Sequence, residues 1–221
     1  KGGKWSNFKE KIYLPLTDQE LLKHLNGQKF IGIYPLLEDN TSWFIVADFD
    51  KERWIEECLA LLQICQSHDV PAYLERSQSG KGGHVWIFFD KPYEAVNSRK
   101  ILNRLLEDAG LVSAVNKNAS FDRLFPNQDK HAGKGLGNLI ALPFYKHAME
   151  KGNSCFVDDQ CKPFPDQWNF LSNIERISTE QLDRIYHSLF RGNPVANQTI
   201  TSEKLRICLS NVVSLNRTGI K

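Results

Sequence analysis

The stretch SGKGGHVWIFF, residues 79–89, decides how the rest of the chain is read. Its first half has the glycines and lysine of a phosphate-binding loop. Its second half has the aromatic and β-branched residues of a strand. A Walker A loop spaces GxxxxGK[ST] between a strand and a helix. Here the glycines lie between the short strand AYLER (72–76) and the strand HVWIFF (84–89). A P-loop ATPase therefore does not fit. The loop can still hold phosphates, because successive backbone N–H groups in a glycine turn form an anion nest. Ser79 offers a hydroxyl, Lys81 a charge and His84 an imidazole at the mouth of the strand. An ordinary glycine hairpin with a surface lysine is the plainer alternative.

Upstream, SWFIVADFD (42–50) is a near-continuous apolar run, as expected of a strand buried on both faces. KERWIEECLALLQICQ (51–66) follows as a helix with a stripe of Trp54, Cys58, Leu62 and Cys65. Downstream, PYEAVNSRKILNRLLEDAG (92–110) reads as a second helix that turns Leu102, Leu105, Leu106 and Ala109 inward and stops at Gly110. SFDRLF (120–125) is the next strand, broken at Pro126. The order strand, helix, strand, strand, helix, strand is the split βαβ pattern of ferredoxin-like and RRM-like sheets. The fold class is therefore α+β.

That topology places strand 42–50 between strands 84–89 and 120–125, antiparallel to both. Asp48 and Asp50 at the end of the first then meet His84 and Asp122 near the beginnings of the other two. Asp48 and Asp50 are two apart on a strand, so their side chains share a face. Adjacent carboxylates repel unless a cation neutralises them, and hard ions such as Mg²⁺ or Mn²⁺ prefer oxygen donors. With Asp122 as a third ligand, the edge suits one or two metals and phosphoryl transfer. The competing structural role for Asp50 is to cap a helix beginning at Lys51.

The flanks are simpler. TDQE (17–20) is a capping box, with Thr17 as N-cap and Glu20 reaching back, and its helix ends at Gly27. FIGIYPLL (30–37) and GNLIALPFY (137–145) read as strands, the latter as a fifth. DQWNFLSNI (166–174) and STEQLDRIYHSLF (178–190) read as helices, and RGNPVANQT (191–199) as a linker.

Bulk properties narrow the classes. The chain has 221 residues, is 41% hydrophobic and has a net charge of +2, which permits a full core and neither demands nor excludes nucleic acid. The N-terminal KGGKWSNFKEK has four lysines and one glutamate and could touch phosphates. No apolar run reaches the ~18 residues of a membrane span, so no membrane partner is expected. Five scattered cysteines with no CxxC pair fit a reducing, cytoplasmic compartment. Cys155 and Cys161 with a histidine form the alternative of a zinc site. The chain begins at Lys1 and ends at Lys221 without a terminal pattern, which reads as a piece of a longer protein.

These residues resemble the archaeo-eukaryotic primase superfamily of primase-polymerases. ADFD supplies the family's acidic motif (Asp48, Asp50), SGKGGHVW its histidine motif (His84), and SFDRLFPNQD its third acid (Asp122). More specifically, YPLLEDNTSWFIVADFD, LERSQSGKGGHVWIFF, FDRLFPNQD, GNLIALPFY and DQWNFL resemble the primase domain of TOTE-type conflict systems, in which it precedes a helicase and a nuclease. The resemblance implies an RRM-like catalytic module with an N-terminal α/β extension over residues 1–190, followed by a linker over 191–221. It implies a nucleotidyltransferase that synthesises or extends primers on single-stranded or primed DNA, using dNTP or NTP and two divalent ions, Mn²⁺ or Mg²⁺. It assigns the metals to Asp48, Asp50 and Asp122, and the nucleotide to Ser77, Ser79, Lys81 and His84. Helicase and nuclease regions of a parent protein are the implied partners. Many members have serine two residues before the histidine, where this chain has Gly82. The longer SGKGGH form resembles the polymerase domains of bacterial end-joining ligases, better known for extending primers.

Two other classes share such a sheet. An RNA-binding module would stack bases on aromatics of the central strands, here Phe49, Trp86 and Phe88. A metal-dependent nuclease would use the same acids. A nicking nuclease would need a second histidine where His84-Val85-Trp86 has tryptophan.

Overall fold

The computed structural model describes residues 14–112, 119–131, 133 and 135–190. In chain order the elements are α1 (Asp18–Leu25), β1 (Gly32–Ile33), β2 (Thr41–Asp50), α2 (Trp54–Ser67), β3 (Tyr73–Arg76), β4 (Gly82–Glu94) and α3 (Ala95–Asp108). They continue as β5 (Phe121–Phe125), β6 (Ile140–Ala141), α4 (Lys146–Met149), β7 (Cys155–Phe156), α5 (Gln167–Ser172) and α6 (Thr179–Phe190). The main sheet has the order β5-β2-β4-β3-β7, antiparallel throughout. Its first four strands reproduce the expected split βαβ arrangement, with β2 between β4 and β5.

Alternation along β2 divides the core into two. Ile45, Ala47 and Phe49 face α2, α3 and α6, together with Val85, Ile87 and Phe89 of β4. Phe49 is fully buried; truncating such a side chain to alanine destabilises a protein by about 3–5 kcal/mol. The other face carries Val46, Trp86, Phe125 and Phe156 of the same sheet, and a second apolar layer with Ile140 and Phe144 packs against them. That layer stops short of Asp48 and Asp50. The same strands are therefore dry at one end and open at the other.

Several expected elements differ. β1 is confined to Gly32–Ile33 and pairs with β6 in a separate two-stranded sheet. The expected fifth strand over 137–145 is only Ile140–Ala141, because Pro143 lacks an N–H and Phe144 has φ +71°. β7, two residues long, takes the fifth place in the main sheet instead. α2 starts at Trp54, not at Lys51, whose φ of +74° is left-handed; Arg53 is its N-cap, so Asp50 does not cap it. β4 runs on to Glu94, and α3 begins only at Ala95. Around Pro92 the strand bulges away from β2, then rejoins it at Tyr93 and Glu94. Thr17 accepts from the Glu20 N–H as expected, but the Glu20 carboxylate binds Lys23 and Lys29 rather than reaching back. Residues 191–199, expected as a linker, lie outside the described residues.

Candidate active site

The geometry follows from two ladders that share β2. Toward β4 the register is regular, and it sets Asp48 opposite His84, Phe49 opposite Gly83 and Asp50 opposite Gly82. Toward β5 it is not. Asp48 pairs with Arg123, yet Phe49 pairs with Phe121, leaving Asp122 as an extra residue in a β-bulge. In an unbroken ladder Asp122 would face Phe49 and point into the helix-side core. The bulge frees it, while Phe121 takes the core position against the Phe49 ring at 5.7 Å. Bulges of this kind re-aim side chains beside active sites.

Asp48, Asp50 and Asp122 thus converge, each offering a carboxylate oxygen within 4.8 Å of the others. They are the one cluster of metal-ligating side chains among the described residues. Burial, then the neighbouring charges of Asp48 and Asp122, push the Asp50 carboxyl above its usual range. Three hard oxygen donors that repel one another fit a divalent cation. Arg123 donates to Asp122 at 2.6 Å, a partial compensation on the exposed side.

The loop is held close to these acids. Gly80 has φ +72°, a conformation glycine adopts without steric penalty. Ser77 N–H donates to Gly82 O at 3.0 Å and closes the turn, while Gly80 N–H donates to Ser77 O. The Lys81 N–H donates to Ser79 Oγ at 3.1 Å, and the two serine hydroxyls lie 3.2 Å apart. Three amides of the hairpin, those of Ser77, Gly80 and Lys81, are thereby occupied within the turn, which narrows the nest expected there. The Lys81 side chain is exposed, and Ser77 is buried. A Cβ on Gly82 would lie 2.5 Å from Phe49 O and 2.7 Å from Asp50 Oδ1. Glycine is thus required at position 82 by close approach to the acidic strand.

His84 is 8% exposed. Its Nε2 lies 3.4 Å from Asp48 Oδ1 and its Nδ1 2.8 Å from Glu75 Oε2. Burial opposes charging of the ring, but Glu75 and Asp48 outweigh it and push the imidazole up to about 10. Reading the sequence missed Glu75. Closing the hairpin at Ser77 and Gly82 would have found it, since that register sets Glu75 opposite His84. It also missed Glu57, a buried acid of α2 whose Oε2 accepts the Ser120 N–H at 2.8 Å.

The aromatic surface expected of an RNA-binding module is not available. Trp86 is 2% exposed under the second apolar layer, and Phe49 faces the helices. Cys58, Cys65, Cys155 and Cys161 are buried free thiols, and no cysteine–histidine metal cluster exists among the described residues. No helix among those residues is long and apolar enough to cross a membrane.

The match to a protein family agrees with this arrangement. Residues 1–185 match the family described as "TOTE conflict system, Archaeo-Eukaryotic Primase domain". Among solved structures, the polymerase domain from Mycobacterium tuberculosis Ligase D in complex with DNA is similar at 16% identity and a TM-score of 0.34. The alignment covers 68% of this chain and 52% of that one, so the chain spans about half the length of that structure. No curated protein matches the chain. With its acidic cluster at the edge of an RRM-like sheet, the chain belongs to the archaeo-eukaryotic primase domains of TOTE conflict systems and has the catalytic layout of a nucleotidyltransferase.

Proposed function

We propose that this domain synthesises or extends primers on a DNA template: a 3′-hydroxyl attacks the α-phosphorus of a nucleoside triphosphate, the nucleoside monophosphate is joined to it, and pyrophosphate leaves. The observation that carries the reading is the convergence of Asp48, Asp50 and Asp122 beside the Ser77–His84 hairpin. In this reading Asp48, Asp50 and Asp122 hold two divalent ions, manganese or magnesium. Such ions, when bound, neutralise the phosphates and favour ionisation of the attacking hydroxyl. Lys81 and the two serine hydroxyls meet the triphosphate, and His84 presents Nε2 toward it from beside Asp48. The second apolar layer covers the sheet on one side of the acids, so in this reading incoming nucleotide and template approach from the open end of β2 and β5. Arg123, exposed and next to Asp122, is placed to meet a primer terminus or an initiating nucleotide.

Asn127 and Gln128, which follow Asp122 in the same FDRLFPNQD stretch, sit differently. Asn127 Oδ1 accepts the Asn138 N–H at 3.1 Å and so braces the following loop. The Gln128 amide nitrogen is buried without a partner. Of the three, Arg123 is the one that faces the acids.

The deciding experiment is nucleotide incorporation on single-stranded and primed templates, with separate dNTP and NTP pools, in Mn²⁺ and in Mg²⁺. Labelled products that disappear in Asp48→Asn support the reading. Products only from primed templates would restrict the domain to extension. Template cleavage without added nucleotides would make it a nuclease.

A further inference from the structure

The proposed chemistry gives no task to the buried acid of β3. Glu75 is 1% exposed, in the middle of β3, and every apolar alternative would fill its place without desolvating a carboxylate. A single oxygen, Oε2, lies 2.8 Å from Trp86 Nε1 and 2.8 Å from His84 Nδ1. The indole N–H can only donate. Oε2 is therefore an acceptor, and His84 Nδ1–H donates to the same atom. Trp86 is itself buried and ring-stacked on Phe88, with centroids 5.6 Å apart, so it is a fixed anchor for the carboxylate. The ladder sets Glu75 directly opposite His84. The imidazole is tied back at Nδ1, and its other nitrogen points to the acidic edge, 3.4 Å from Asp48.

We infer that Glu75 is a positioning residue for nucleotide binding: with Trp86 it clamps the His84 ring so that Nε2 is presented, as a fixed donor, to the phosphates of the incoming nucleotide. This deepens the function proposed above and rests on it for the identity of the ligand. The clamp itself is a feature of the protein alone. Partners that orient metal-ligating histidines change metal affinity or activity by about 10- to 100-fold when lost, and a histidine that must aim one nitrogen at a phosphate depends on its partner in the same way. Glu75 touches neither the acids nor the exposed edge, so its influence has to pass through His84.

Two measurements on the 221-residue chain test it. The first needs no activity: ¹⁵N–¹H NMR of the histidine rings in the unliganded protein. His84 is expected to show a protonated Nδ1 whose proton exchanges slowly with solvent, and this signal is expected to vanish or broaden in Glu75→Gln. A wild-type His84 without an Nδ1 proton would overturn the inference. The second is steady-state extension with Glu75→Gln, His84→Ala and the double variant. The nucleotide KM should rise roughly tenfold in Glu75→Gln, with kcat and primer–template affinity changed much less. In the His84→Ala background the same replacement should add nothing, because residues acting through one another are not additive. An unchanged KM, or the same factor in both backgrounds, would reduce Glu75 to a structural acid. If the wild type incorporates no nucleotide, the proposed reaction fails, and the NMR result still decides whether the clamp exists.

Discussion

β2 has two neighbours, and they build the site in opposite ways. On the β4 side the ladder is regular from Phe44 to Asp50, and function is placed by simple opposition: Asp48 faces His84. On the β5 side the ladder is broken by one residue, and that residue is Asp122. Regular pairing keeps side chains alternating, so it can bring to the open face only residues already in phase with Asp48. The third acid is out of phase and reaches that face only through the bulge. One side of the strand is thus governed by register and the other by a local departure from it.

The largest effect is expected from the residue common to both sides. Asp48→Asn should lower incorporation by at least about 100- to 1,000-fold, the range seen when one electrostatic contact to a transition state is removed. The fold should survive. Asp50 already has a raised pKa from burial and from its acidic neighbours, so removing a charge relieves repulsion rather than creating it. Thermal melts separate the two effects. Wild-type protein should gain stability on addition of Mn²⁺ or Mg²⁺, by ligand linkage, and Asp48→Asn should gain little. A variant that melts earlier in buffer, yet responds fully to metal, would remove Asp48 from the cluster.

Deleting Asp122 tests the bulge itself. Without it, Arg123 and Phe121 become consecutive in pairing with Asp48 and Phe49, which is a regular ladder. The protein should still fold, with a melting temperature close to that of the wild type, while incorporation falls as far as in Asp122→Ala. If the deletion unfolds the domain, β5 depends on the bulge for more than the acid it presents.

On the regular side the sensitive point is the close approach of Gly82. Gly82→Ser introduces a Cβ 2.5 Å from Phe49 O, and backbone cannot yield as a side-chain tip can. Overpacking of this kind typically destabilises by about 1–3 kcal/mol. It would also press on Asp50 Oδ1, so activity should fall further than stability alone accounts for. A Gly82→Ser protein with normal melting and better initiation would show that β4 can shift to admit a serine there.

The same asymmetry explains what could be read from residues in advance. The α+β class, the strand order and the acid–histidine edge follow from periodicity and topology, because β2, β4 and the two long helices carry strong patterns. The bulge does not. SFDRLF reads as a plain strand, and nothing within it marks Asp122 as the unpaired residue; the break arises from how Phe121 and Leu124 are seated on the helix side. β7 was also invisible, since two residues have no period. Glu75 was missed for a different reason: a charged residue mid-strand suggests an exposed edge, whereas β7 and the second apolar layer bury it.

A smaller effect is expected where α2 pins the bulged side. Glu57 is buried, and its carboxylate accepts the Ser120 N–H immediately before β5. Ser120 O in turn accepts the Asp50 N–H at 2.7 Å. One buried acid therefore fixes the point from which the irregular ladder starts, and through it the spacing of Asp50 and Asp122. Glu57→Gln keeps an amide oxygen that can accept the same bond, so it should change stability by less than about 1 kcal/mol. Glu57→Leu leaves the Ser120 N–H buried without an acceptor, which costs about 1–3 kcal/mol. Urea melts of the two variants measure that difference. The informative comparison is with metal response: Glu57→Leu should weaken the stabilisation by Mn²⁺, because Asp122 loses its fixed start, while leaving the hydrogen bonds of His84 on the β4 side intact. Equal loss on both sides would mean that β2 transmits the disturbance across itself, and that its two ladders are one mechanical unit rather than two.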